Sequence, residues 1–317
     1  MPTPHDEAIR ETLLAAQGKM AALNWMASDF SLEKAHVCAL FSKLTYLHLP
    51  EYELTANSRF KLVPCEAYQR LALAKNTSDV GVSIGNLDIG PSFIIARRFL
   101  VIVGIRTSKA LFIAIRGTAF LYDWMINLNA RHYKGSQSNG DVSFHRGFYR
   151  EAMSALPALR ENLIKIAGDG VPIYVTGHSL GGAVAGVLHS LWNQRVPSAG
   201  YRRLETDPEF QISIPGSYTF GMPRYADLNA VITLRTPFHI YNEQDIVPTV
   251  PPSWLGFSSC PTEFMATGAS LEQTPARETI TFSSWIARLA TGVGVRHHSM
   301  ELYIERIAQN LPPTGGT

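Results

Sequence analysis

A chain of 317 residues, 46% hydrophobic and 17% charged, has the balance of a folded globular protein rather than a disordered one. Its length allows one large α/β domain or two small ones. A formal net charge of +2, with no basic run interleaved with aromatics and no zinc-type Cys/His spacing, speaks against nucleic acid and structural metal as partners.

The chain starts with "MPTPHDEAIRETLLAAQGKM", which lacks a basic start followed by an uninterrupted apolar run. No stretch reaches the roughly 18 apolar residues needed to span a bilayer. Cys38, Cys65 and Cys260 are odd in number and widely spaced, which argues against a disulfide framework. The expectation is a cytoplasmic protein, with secretion after loss of a leader as the alternative. Residues 1–50 read as a helical cover. In "SLEKAHVCALFSKLTYLHLP", Ser31 is the N-cap, Pro50 is the stop, and Leu40, Phe41, Leu44 and Leu47 recur at helical spacing. Residues 51 to 90 carry little periodic signal, and within and just beyond them "KNTSDVGVSIGNLDIGPS" is rich in turn residues and predicts loop. "FLVIVGIRT" and "ALFIAIRG" predict a hairpin of two buried strands. The segment 119–142 is polar and aromatic. "HRGFYREAMSALPALRENLIKIAGDG" predicts a helix that ends at Gly168 and is bent or interrupted at Pro157. Then come the strand "VPIYVT", the helix "SLGGAVAGVLHSLWNQR", the strand "GSYTFGM", the helix-like "RYADLNAVITL", the strand "TPFHIYN" and a last helix from near His298 to Pro312. Strands alternating with helices at these lengths mean βαβ crossovers. The fold class is α/β, a central and mostly parallel sheet flanked by helices, in one domain over 1–317.

Two segments match G-x-S-x-G: Gly81 to Gly85 and Gly177 to Gly181. A chain of this length holds about 0.1 chance matches, so the pattern alone decides nothing. A nucleophile elbow needs a buried strand before it and a helix after it, whose first N–H groups point at the reacting oxygen. It also needs small flanking residues where helix and strand approach. "GVSIG" has neither strand nor helix around it, and its glycines read as turn residues. Gly177 to Gly181 has "VPIYVT" before it and Gly181, Gly182 and Ala183 opening a helix after it. Ser179 is therefore the candidate nucleophile.

Such a serine needs a base, and the base an acid, following in the order Ser, Asp or Glu, His. His189 lies in the elbow helix and His239 in a strand. His297 and His298 stand just before the last helix, where a loop can hang an imidazole over the elbow. Asp245 lies just past a strand end; Asp227, in a predicted helix, and Glu243 compete with it.

Five blocks in order resemble the class 3 lipases, the fungal-lipase-like α/β hydrolases. They are "FIAIRGTAFLYDWMINL", "FHRGFYREA", "IYVTGHSLGGAVA", "YTFGMPRYAD" with "YNEQDIVPTVPP", and "HHSMELYI". The resemblance implies an α/β-hydrolase fold with an apolar lid or cap, and hydrolysis of carboxylic esters without metal or cofactor. It implies Ser179 as nucleophile, Asp245 as acid and His298 as base; His298 stands five residues before Tyr303, as in many bacterial and plant relatives, and His297 stands six before it. The implied oxyanion hole uses the backbone N–H of Leu180 and Thr118. His145 and Gly147 match a His-x-Gly-Phe block, and His145 is a wall or structural residue. His178 is most simply a packing residue.

The segment after Thr118 takes the place of the family's lid. Phe120, Leu121, Trp124 and Met125 are its candidate substrate or lid residues, with His145 beside them. A helix packed permanently on the sheet is the alternative. The stretch from Asp245 to His298 is longer than in compact members, and 246–297 reads as a cap or lid insertion. The implied partner is a lipid or other ester, met at a transient lipid–water interface; no stable protein partner is implied.

Overall fold

The computed structural model describes residues 4–46, 61–63, 89–97, 100–117, 130–134, 142–166, 170–192, 213–274 and 293–312. In chain order the helices are α1 (Pro4–Met20), α2 (Leu32–Leu44), α3 (Arg146–Ile166), α4 (Leu180–Trp192), α5 (Leu228–Thr233), α6 (Val293–Arg296) and α7 (Met300–Gln309). The strands are β1 (Lys61–Val63), β2 (Ile89–Arg97), β3 (Leu100–Thr107), β4 (Leu111–Arg116), β5 (His132–Lys134), β6 (Ser143–His145), β7 (Pro172–His178), β8 (Ser213–Phe220), β9 (Phe238–Asn242), β10 (Glu263–Ala266) and β11 (Leu271–Thr274).

Among the described residues nine strands form one sheet in the order β1-β2-β3-β4-β7-β8-β9-β10-β11, and β5 and β6 pair separately. The middle, from β4 to β10, is parallel, and the two flanks are antiparallel. Side chains alternate across the sheet, so neighbours in one strand serve different cores. Phe112, Ala114, Tyr174 and Tyr218 face α1, α2 and α7. Leu111, Ile113, Ile115 and Val175 face α3 and α4. A sheet covered on both faces explains why its strands read as continuous apolar runs.

Ser31 caps α2, its hydroxyl accepting from the Lys34 amide. The helix ends at Leu44, six residues before Pro50, with Thr45 as its C-cap. It is buried on nearly every side, packed between α1, α7 and the sheet. Lys34 is accommodated there because its ammonium donates to the Ala27 carbonyl at 2.6 Å and the Tyr174 hydroxyl at 3.1 Å.

Three sequence expectations need correction. The stretch from Lys75 to Ser92 is not all loop: Ile89–Ser92 open strand β2, which makes the expected hairpin a meander, and Lys61–Val63 pairs with β2 as β1. Gly90 and Pro91 hid β2, because proline gives no amide to a ladder, and the register shifts between Pro91 and Phe93. Helix α3 runs through Pro157, which lies on its exposed face where water can serve an unpaired carbonyl. Within 246–297, Glu263–Ala266 pairs in parallel with β9 and Leu271–Thr274 closes the edge, so part of the expected insertion is sheet. No helix among the described residues is long and apolar enough to cross a membrane.

Candidate active site

Strand β7 ends at His178, and α4 begins at Leu180. Ser179, between them, has φ 58°, the one non-glycine residue in the left-handed region among those described. Such a backbone costs about 1–2 kcal/mol and persists only where its surroundings enforce it. Here close packing enforces it. A Cβ on Gly177 would lie 2.5 Å from the Gly181 carbonyl oxygen, and one on Gly181 would strike the backbone of Ile115 and Arg116. The Ser179 amide donates to the Phe220 carbonyl at 2.9 Å, tying the turn to β8. The Ser179 hydroxyl is buried and has no hydrogen-bond partner among the described residues.

Asp245 stands in the turn after β9, 2% exposed. Its carboxylate accepts three hydrogen bonds: Oδ1 from the Val247 amide at 2.9 Å, and Oδ2 from His298 Nδ1 at 2.7 Å and the Tyr303 hydroxyl at 2.6 Å. Oδ2 accepts from the imidazole and so fixes the His298 proton on Nδ1. Nε2 of His298 is then an acceptor, and it is buried without a partner among the described residues. Ser299 caps α7, so His298 stands just before the cap, and its carbonyl accepts from His178 Nε2. His297 points elsewhere: its ring lies 3.4 Å from Arg306, and its carbonyl accepts from Asn242. Gly221, φ 53°, leaves room for the pair; a Cβ there would lie 2.8 Å from Asp245 Oδ2 and 2.9 Å from His298 Nδ1.

His178 does more than fill space. Its Nε2–H donates to the His298 carbonyl at 2.7 Å, so Nδ1 is an acceptor and takes the Tyr46 hydroxyl at 2.8 Å. That hydroxyl accepts in turn from the Gly117 amide at 3.2 Å. Tyr46 thereby links the end of α2, the end of β4, the elbow and the His298 backbone. Burial first, and then the neighbouring His298, hold the His178 imidazole well below its ordinary pKa, so it stays neutral beside a ring 4.4 Å away.

The other candidates fall as follows. Leu180 opens α4, where a first-turn amide has no intrahelical partner. Thr118, Phe120, Leu121, Trp124 and Met125 lie outside the described residues, as do Ser83 and Leu47. Gly117, just before Thr118, packs against the elbow: a Cβ there would lie 3.0 Å from the Ser179 Cβ. His145 is buried between Phe148 and Phe257, both ring nitrogens lack partners among the described residues, and burial pushes its pKa down to about 4. Asp227 is no competitor for Asp245, because it caps α5 and accepts from the Ser143 amide and hydroxyl. Glu243 is exposed. His189 is a core residue of α4. Sequence reasoning missed Tyr46 and treated Tyr303 only as a spacing marker. Tyr303 could have been found from its fixed offset to His298; Tyr46 carries no local signal.

The profile of the class 3 lipases, "Lipase (class 3)", matches residues 112–254. A lipase of Rhizomucor miehei is 31% identical over 173 residues, 52% of this chain and 44% of that protein. The secreted mono- and diacylglycerol lipase 1 of Fusarium solani is 28% identical over 171 residues, 52% of this chain and 46% of that protein. This chain spans less than half the length of either relative. Among solved structures, a mutant of MDLA from Penicillium cyclopium superposes with a TM-score of 0.55 over 85% of this chain and 96% of that one, at 15% identity. The shared architecture is the α/β-hydrolase fold.

Proposed function

We propose, from the class 3 lipase profile matched over residues 112–254 and from the geometry of the site, that this chain is a serine carboxylester hydrolase acting on acyl-glycerol esters. The observation that carries the reading is an imidazole already oriented by Asp245 whose buried Nε2, like the buried Ser179 Oγ of the elbow, has no hydrogen-bond partner among the described residues. In this reading His298 Nε2 takes the Ser179 proton as Oγ attacks the ester carbonyl. The oxyanion is met by the Leu180 and Thr118 amides, donors typically worth several kcal/mol each. The imidazolium, stabilised by Asp245, returns the proton to the leaving alcohol. Water then enters by the same route, loses its proton to His298 and cleaves the acyl-enzyme. No metal or cofactor takes part.

The substrate class rests on the relatives, one a lipase and one a mono- and diacylglycerol lipase by name. We read 1–317 as one domain with 1–50 as its cover, and the described part of that cover supplies Tyr46 to the site. One relative is secreted by name, and the relatives lend nothing to a cytoplasmic location. The test is a series of nitrophenyl esters of rising chain length, a mono-, di- and triglyceride emulsion and a phospholipid, each with Ser179→Ala as control. Ser179-dependent turnover of acyl-glycerols is expected. Preference for short soluble esters or for phospholipid reassigns the substrate, and turnover unchanged in Ser179→Ala removes the mechanism.

A further inference from the structure

A second acid–histidine pair lies within the sheet, beside the site. Thr219 of β8, His239 of β9 and Glu263 of β10 stand in one row across three parallel strands. His239 Nε2 accepts the Met222 amide at 2.9 Å. That nitrogen therefore carries no proton, and Nδ1–H donates to Glu263 Oε1 at 2.9 Å. The two side chains are 1% and 2% exposed. Burying a carboxylate is costly and is tolerated only where its hydrogen bonds are met.

The carboxylate makes a difference to His239. A neutral imidazole can carry its proton on either nitrogen. With the proton on Nε2, the ring would meet the Met222 amide donor to donor. Glu263 selects the other tautomer. Met222 closes the turn that leaves β8, and this turn touches every member of the candidate triad. Its Phe220 carbonyl holds the Ser179 amide, Gly221 lies against Asp245 and His298, and Met222 lies against Gly182 in the first turn of α4, 3.0 Å from where a Cβ would be.

We propose that His239 and Glu263 are positioning residues: Glu263 fixes the tautomer of His239, His239 pins the Met222 amide, and the pinned turn seats Ser179 and the Asp245–His298 pair. This rests on the hydrolase reading above. Neither residue touches the reacting atoms, so the expected effect is on kcat rather than KM. In the full chain, with active sites counted by a phosphonate titrant, Glu263→Met lowers kcat for a nitrophenyl ester about tenfold, with KM within about twofold. Glu263→Gln, whose amide oxygen still accepts from Nδ1–H, stays within about twofold of wild-type kcat. His239→Phe falls about tenfold, and adding Glu263→Met to it costs nothing more, since the two act in series. Nitrogen NMR of histidine-labelled protein, with His239 assigned by its loss in His239→Gln, reports the Nδ1–H tautomer in wild type without reference to activity. Wild-type kcat per titrated site in Glu263→Met, a tenfold fall in Glu263→Gln, or an Nε2–H tautomer in wild type overturns the proposal. Should Glu263→Met not fold, the tautomer and Glu263→Gln decide. A wild-type protein without Ser179-dependent turnover overturns the hydrolase reading instead.

Discussion

Asp245→Asn changes one atom and, by the geometry of the site, should reverse the histidine. Asp245 Oδ1 faces the Val247 amide, a donor fixed in the backbone of a 3-10 turn. The asparagine must therefore present its carbonyl oxygen to Val247 and its NH₂ to the side now occupied by Oδ2. There it meets His298 Nδ1, which has to accept, and the imidazole proton moves to Nε2. That nitrogen is then unable to take the Ser179 proton. The Tyr303 hydroxyl loses its acceptor at the same point but keeps the Asn242 amide as donor. An Asp-to-Asn change in a Ser-His-Asp triad typically costs about 10⁴ in kcat, or about 5.5 kcal/mol of transition-state stabilisation. Loss of the charge on the hydrogen bonds should cost about 1–2 kcal/mol of stability, a shift of a few degrees in Tm. The assay is steady-state hydrolysis of a nitrophenyl ester with differential scanning of the same preparation. A kcat within tenfold of wild type in a folded Asp245→Asn protein would refute the tautomer argument.

Tyr46→Phe leaves the Gly117 amide and His178 Nδ1 without their hydroxyl; about 1–3 kcal/mol of stability should be lost, and kcat should fall about tenfold because Gly117 leads into Thr118. Chemical denaturation and ester kinetics check both numbers. Gly221→Ala puts a methyl against Asp245 and His298 at a φ of 53°; kcat should fall more than tenfold in a protein that still folds, and unchanged kinetics would contradict the packing. His36 and His145 have pKa values lowered by burial to about 4, and His189 to about 3. Unfolded histidine protonates near pH 6.5, so between there and about 4 the unfolded state binds more protons, and stability is lost as pH falls through that window. Urea midpoints from pH 7 to 4.5 should show the slope, and His145→Gln should flatten it.

Much of the site was legible because an elbow is a local device. Strand, serine and helix lie within a dozen consecutive residues, and the small residues at Gly177, Gly181 and Gly182 are what a close strand–helix approach demands. The parallel centre of the sheet was legible for the same reason, since strands buried on both faces read as apolar runs. Strand β2 was not, because Gly90 and Pro91 break the propensity signal where the register shifts. Strands β10 and β11 were not, because a four-residue edge strand such as Leu271–Thr274, largely unburied, has no apolar run to announce it.

The order of Ser179, Asp245 and the final histidines, and the choice of "GHSLG" over "GVSIG", followed from sequence alone, because neighbouring residues decide backbone conformation and strand-to-helix turns. Which histidine meets Asp245, why His178 is hydrogen-bonded on both sides, and how Glu263 comes to govern Met222 were decided only in three dimensions. Tyr46 lies 132 residues from His178, and Tyr303 lies 58 from Asp245. A hydrogen bond acts over about 3 Å of space and leaves no mark along the chain, so these groups acquire their roles only when the sheet brings its strand ends and helix ends to one edge.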